Sequence, residues 1–125
     1  MVDDEEGIRS VVESFLEGNF SVKTAEHADK AIEMIRQNNY NLIITDYQTR
    51  SSQDGLDVIL EAAKKYGTLE CRVILMTADP RAFFKALSDE VERPLQLFIK
   101  IKFRMLAKPF ELEYLREMVD DVMKG

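Results

Sequence analysis

Asn41-Leu42-Ile43-Ile44-Thr45-Asp46-Tyr47 is the stretch on which the reading of this 125-residue chain turns. From Leu42 to Thr45 every residue is apolar or β-branched, and the carboxylate of Asp46 follows at once. Such a run predicts a short strand buried on both faces, the usual state in a parallel sheet. A carboxylate at the C-terminal end of that strand stands where open α/β sheets bind their ligands. An isolated Asp at a strand end is ordinarily a turn residue, so a functional Asp46 needs support from elsewhere in the chain.

Outward from this strand, the apolar residues switch between helical and strand periods. Ile8, Val11, Val12, Phe15 and Leu16 fall on one helical stripe within Gly7–Glu17, stopped by Gly18-Asn19. Phe20, Val22 and Thr24 alternate, which predicts a short strand over 20–25. Ala28, Ala31, Ile32 and Ile35 mark a second helix, with His27 read as a surface polar residue in the connection before it. After Asp46, a polar loop from Gln48 to Asp54 closes at Gly55, and Val58, Ile59, Ala62 and Ala63 give a third helix that ends at Tyr66-Gly67.

Arg72-Val73-Ile74-Leu75-Met76-Thr77 reads as another buried strand, and Asp79-Pro80 starts a helix carrying Phe83, Phe84 and Leu87. Leu95 to Met105 alternates apolar and polar residues, with Lys100, Lys102 and Arg104 on the polar side. Ala107-Lys108-Pro109-Phe110 then leads to a last helix with Leu112, Leu115, Met118, Val119 and Val122. Strands alternating with helices predict right-handed crossovers and a parallel sheet covered on both faces, in a single domain over residues 1–125.

Composition narrows the function classes. A hydrophobic share of 46% argues for a packed core rather than disorder, and no apolar run approaches a membrane span. The net charge of −6 argues against nucleic acid as a partner. One cysteine, Cys71, excludes an internal disulfide; it reads as a buried thiol in a reducing compartment, with the cytoplasm as the expected location. One His and one Cys are too few soft ligands for zinc.

In a doubly wound sheet the strand ends meet at one edge, which would bring Asp3, Asp4 and Asp46 together with Thr77 and Lys108. Clustered carboxylates repel unless a cation joins them, and Mg²⁺ is the expected oxygen-liganded ion. Mg²⁺, Lys108 and Thr77 around Asp46 would suit a phosphoryl group held on that carboxylate.

On these residues the chain resembles the receiver domains of two-component response regulators. The resemblance is carried by Val2-Asp3-Asp4-Glu5, Ile43-Ile44-Thr45-Asp46, Asp54-Gly55-Leu56, Leu75-Met76-Thr77-Ala78 and Lys108-Pro109-Phe110, in order over almost the whole chain. It implies a flavodoxin-like, three-layer α/β fold with a mostly parallel five-stranded sheet in the order 2-1-3-4-5. It implies phosphotransfer from a histidine kinase or phosphotransfer protein to Asp46, with no enzymatic activity beyond self-catalysed phosphotransfer and slow autodephosphorylation. It further implies that Asp4 and Asp46 bind Mg²⁺ directly, Asp3 through water and Gln48 through its carbonyl. Thr77 and Lys108 would each meet a phosphoryl oxygen, Ala78 would leave access, and Lys108-Pro109 would be cis.

Departures from the family set further expectations. Only Met1-Val2 precedes Asp3, so the first strand is truncated or something replaces it. The interval from Thr77 to Lys108 is long by about one short strand, which predicts an extended last strand at the sheet edge over 95–105. That edge would serve a homodimer or a docking partner by strand addition. Met105 stands where the family has an aromatic switch residue. A downstream protein partner is expected on the helix Ala82–Glu92, the edge strand and the last helix. The competing expectation is a phosphorylation-independent interaction or dimerisation module. A phosphohydrolase is disfavoured, because Gln48 stands where a second catalytic acid is needed.

Overall fold

The computed structural model describes residues 1–48, 53–66, 72–90 and 101–124. Among them are five helices and three strands: α1 (Glu6–Leu16), α2 (Ala28–Gln37), β1 (Ile43–Asp46), α3 (Gly55–Tyr66), β2 (Arg72–Thr77), α4 (Pro80–Glu90), β3 (Lys102–Ala107) and α5 (Leu112–Lys124). The strands form one parallel sheet in the order β1-β2-β3.

Strand alternation divides the core. Ile43, Val73 and Leu75 pack with Ala31, Ile35, Leu56, Ile59 and Phe83 of α2, α3 and α4. Ile44, Ile74, Met76 and Leu106 pack with Val12, Leu16, Leu115 and Val119 of α1 and α5. Helices therefore cover both faces, and the continuous apolar reading of Leu42–Thr45 and Arg72–Thr77 follows from that double burial.

The five-strand order is not reached among the described residues. Of the first strand, Val2 alone pairs, by single parallel bridges to Ala25 on one side and Thr45 on the other. Its amide donates to the Ile44 carbonyl at 2.8 Å, and its carbonyl accepts from the Asp46 amide at 2.8 Å. The expected strand over 20–25 likewise pairs only around Ala25, whose amide meets the Met1 carbonyl at 2.9 Å. The physical reason is shared: without a longer neighbour, the 20–25 segment has no ladder to join. A cavity of about 550 Å³ lies between Phe20–Lys23 and Leu42–Ile44, beside Met1 and Val2.

Two more expectations change. The last strand runs to Ala107, two residues beyond the expected 95–105 stretch, because Leu106 and Ala107 pair with Met76 and Thr77. Its proposed extension over 95–100 lies outside the described residues, as do Cys71 and residues 49–52 of the polar loop. Within β3, Arg104 is exposed and bonds Asp121 of α5 at 2.9 Å, as a half-solvated strand allows. His27 is not a bystander: its Nδ1 accepts the Lys30 amide at 3.2 Å and caps α2, a role sequence rules give first to Ser, Thr, Asp or Asn.

Candidate functional site

The C-terminal ends of β1, β2 and β3, with the Val2 bridges, deliver Asp3, Asp46, Thr77 and Lys108 to one edge of the sheet. The Lys108 amide is tied to the Thr77 carbonyl at 3.0 Å, and the Tyr47 amide to the Met76 carbonyl at 3.0 Å. These ladder extensions fix the backbone on either side of the candidate residues.

Asp3 is the buried anchor, at 0% exposure. Its Oδ1 accepts the Glu5 amide at 2.9 Å, its Oδ2 accepts from Lys108 Nζ at 2.7 Å, and its carbonyl accepts from Arg9 Nη1 at 2.7 Å. The same Nζ lies 3.2 Å from Asp46 Oδ2, so one ammonium, from the end of β3, bridges the carboxylates of Asp3 and Asp46. The Lys108-Pro109 peptide is cis, as the resemblance implied.

Above this pair opens a pocket of about 370 Å³, lined by Asp4, Glu5, Asp46, Gln48, Thr77, Ala78, Asp79 and Lys108. Carboxylate oxygens of Asp3, Asp4 and Glu5 come within 4.8 Å of one another. This all-oxygen donor set suits a hard divalent cation, with Asp46 reaching the group through Lys108. Of the residues expected at the site, Asp4, Asp46, Gln48, Thr77 and Lys108 line the pocket and Asp3 lies behind Lys108; Asp46, expected as a direct ligand beside Asp4, stands outside the close carboxylate group. Two more carry no expected role: Glu5, quoted only within the motif Val2-Asp3-Asp4-Glu5, and Asp79, read only as a helix start. Asp79 caps α4, accepting the Ala82 amide at 3.2 Å, while its own amide donates to Thr77 Oγ1 at 3.0 Å.

The electrostatics are those of a crowded acid cluster with one internal counterion. Burial pushes the Asp46 carboxyl up to about 6; the Lys108 charge opposes this, and the Asp3 and Asp4 charges add to it. Burial alone would lower the Lys108 ammonium, but the Asp3 hydrogen bond and the Asp46 and Asp3 charges hold it above its usual range.

A carboxyl that titrates near 3.8 unfolded and about 6 folded keeps its proton longer in the folded state. Its contribution to stability is therefore fully present below the unfolded value and lost as pH rises through the folded one. The shift corresponds to roughly 3 kcal/mol, reduced to about 1–2 kcal/mol by solvent reaching the carboxylate. Asp46→Asn is thus expected to be more stable than the parent by about 1–2 kcal/mol near neutral pH in chelator, with the gain vanishing by about pH 4. Urea denaturation across pH checks this; a gain that does not depend on pH would contradict it.

Known proteins share this fold. The response regulator receiver domain family profile matches residues 1–120. No curated protein matches the chain significantly. A CheY-like response regulator receiver domain protein from Methanospirillum hungatei JF-1 superposes with a TM-score of 0.78 at 20% identity, covering 98% of this chain and 90% of that one. A response regulator receiver protein from Sinorhizobium medicae WSM419 gives 0.78 at 21% identity, covering 99% and 91%. The receiver domain of NtrX from Brucella abortus gives 0.75 at 22% identity, covering 99% and 96%. At these identities the likeness concerns the fold.

Proposed function

The chain belongs to the response regulator receiver domain family, and from that membership we propose that it accepts a phosphoryl group on Asp46 from a histidine kinase or phosphotransfer protein. The observation that carries the reading is the bridging of Asp3 and Asp46 by Lys108 beneath a pocket also lined by Thr77 and Asp4.

In the proposed reaction an Asp46 carboxylate oxygen attacks phosphorus, an acyl phosphate forms, and the bond to the donor's histidine nitrogen breaks. Mg²⁺, held by Asp4, Asp46 and the Gln48 carbonyl with Asp3 behind them, would neutralise charge on the phosphoryl oxygens. Lys108 stays ionised because Asp3 holds it, and so keeps a positive charge for a phosphoryl oxygen. Thr77 Oγ1 accepts from the Asp79 amide, which leaves its proton to donate to another. Ala78 lines the pocket with only a methyl and would leave room for the phosphoryl donor. Asp3 and Lys108 thus position the acceptor; the remaining chemistry belongs to the donor.

The output would be a changed surface for a downstream protein partner on α4, β3 and α5, where Phe84 and Tyr114 are 47% and 56% exposed. We place this signalling in the cytoplasm; no helix among the described residues is long and apolar enough to cross a membrane. A second reading, a phosphorylation-independent interaction module, is favoured by the exposed rings of Phe84 and Tyr114, which offer apolar surface without phosphorylation.

Incubation with a small phosphodonor and Mg²⁺, followed by intact mass, separates the two. The expected result is a gain of one phosphate that Asp46→Asn abolishes. No gain at saturating donor selects the interaction module.

A further inference from the structure

If Asp46 is the phosphoacceptor proposed above, its state must reach the surface, and β3 carries Met105 where the resemblance implies an aromatic switch. We propose that Tyr47 is a positioning residue that couples the state of Asp46 to the first turn of α4, and through Phe83 to the exposed ring of Phe84.

Tyr47 follows Asp46 directly, and its backbone is held at both peptide groups. Its amide donates to the Met76 carbonyl at 3.0 Å, and its carbonyl accepts from Gly55 at 2.7 Å. A displacement at Asp46 therefore passes to the Tyr47 side chain rather than into a slack loop. That side chain is buried, with its hydroxyl 3.5 Å from the Ala82 carbonyl and its ring centroid 5.3 Å from Phe83 at an interplanar angle of 82°. Phe83, itself wholly buried, stacks on Phe103 of β3 at 6.0 Å and meets Phe84 edge-on at 5.6 Å. Edge-to-face pairs depend on ring angle as well as distance, so they transmit rotation where aliphatic contacts slide.

A second arm ends on the same residue. The Thr77 hydroxyl accepts the Asp79 amide, and the Asp79 carboxylate accepts the Ala82 amide. Ala82 is thus gripped at its N–H from Thr77 through Asp79, and approached at its C=O by Tyr47. When Thr77 turns toward a group on Asp46, the two arms pull on one helical turn from both sides. Without the Tyr47 ring, only the Thr77 arm would remain, and Phe83 would lose the contact that links its orientation to the strand end.

The test reads Phe84 by fluorine NMR of fluorophenylalanine-labelled protein, with the signal assigned by its loss in Phe84→Leu. Asp46→Asn, in metal-free buffer, provides a perturbation at position 46 that needs no phosphate. The expected result is that Asp46→Asn moves the Phe84 signal in the parent, moves it less in the Tyr47→Phe background, and leaves it in place with Tyr47→Leu. Cooperative urea denaturation checks that Tyr47→Leu folds; Phe83→Leu interrupts the same ring contact from the helix side and serves as the second variant. An equal shift with and without these substitutions overturns the coupling, as does no shift in the parent. Phosphate uptake by the parent is measured separately, so a failed phosphoacceptor assignment shows in the mass while the Asp46→Asn comparison still decides the coupling.

Discussion

Lys108→Met is expected to lower the free energy of unfolding by about 3 kcal/mol near neutral pH in metal-free buffer. Lys108 Nζ is 2.7 Å from Asp3 Oδ2 and 3.2 Å from Asp46 Oδ2, and the Asp3 side chain has 0% exposure. Methionine keeps most of the volume and removes the charge, leaving two neighbouring carboxylates without their internal cation. Removing one partner of a buried pair costs more than the pair contributes, because the remaining charge stays desolvated. The loss should shrink toward about pH 5, where Asp46 takes up a proton. Urea denaturation at both pH values is the measurement, and a loss under about 1 kcal/mol at neutral pH would show that solvent already screens the pair.

Gly55→Ala is expected to cost about 2–3 kcal/mol, although alanine is the better helix former. A Cβ on Gly55 would stand 2.5 Å from the Asp46 carbonyl oxygen, 2.8 Å from the Tyr47 Cα and 3.1 Å from a Leu75 methyl. Two of those three are backbone atoms at the end of β1, which cannot step aside as a side-chain tip can. The Gly55 amide also holds the Tyr47 carbonyl at 2.7 Å, so the close approach closes the loop that begins at the site. Denaturation reads the stability, and intact mass with a phosphodonor reads the displacement of Asp46; phosphate uptake should fall with it. A variant as stable as the parent would mean that this loop closes at a greater distance.

Much of this architecture is legible in the sequence because the physics behind it is local. β1 and β2 are buried on both faces, so Ile43-Ile44 and Val73–Met76 are unbroken apolar runs, and the five helices each show one apolar stripe. The first strand was not legible, since a pattern needs several residues and only Val2 pairs. The alternation of Phe20, Val22 and Thr24 is real, yet pairing depends on a neighbour that local pattern cannot supply. By pattern the alternation stops at Met105, whereas pairing of Leu106 and Ala107 with Met76 and Thr77 carries β3 to Ala107.

The site divides in the same way. Asp46 at a strand end, and Lys108 and Thr77 at two others, could be placed from strand periodicity. The contact between Lys108 and Asp3 joins residues far apart in sequence; the strand-end argument brings both to one edge, but neither it nor the resemblance pairs them. Glu5 belongs to the quoted motif Val2-Asp3-Asp4-Glu5 but carries no implied role, and its place in the pocket comes from the fold. Tyr47 was hidden because an aromatic beside a strand reads as core, and its ring angle to Phe83 exists only in three dimensions.

The two bridges at Val2 have a consequence for affinity. The carbonyl that receives the Asp46 amide and the amide of Asp3 belong to one peptide group, between Val2 and Asp3, whose N–H donates to the Ala25 carbonyl at 3.2 Å. Were that peptide displaced, Asp3 would leave Lys108 and the Asp46 amide would lose its acceptor together. Any ligand that needs all of these groups therefore binds with an apparent affinity scaled by the fraction of time that peptide is docked. A ligand that holds the peptide down raises that fraction for the next, so occupants of this pocket would favour one another by sharing a latch.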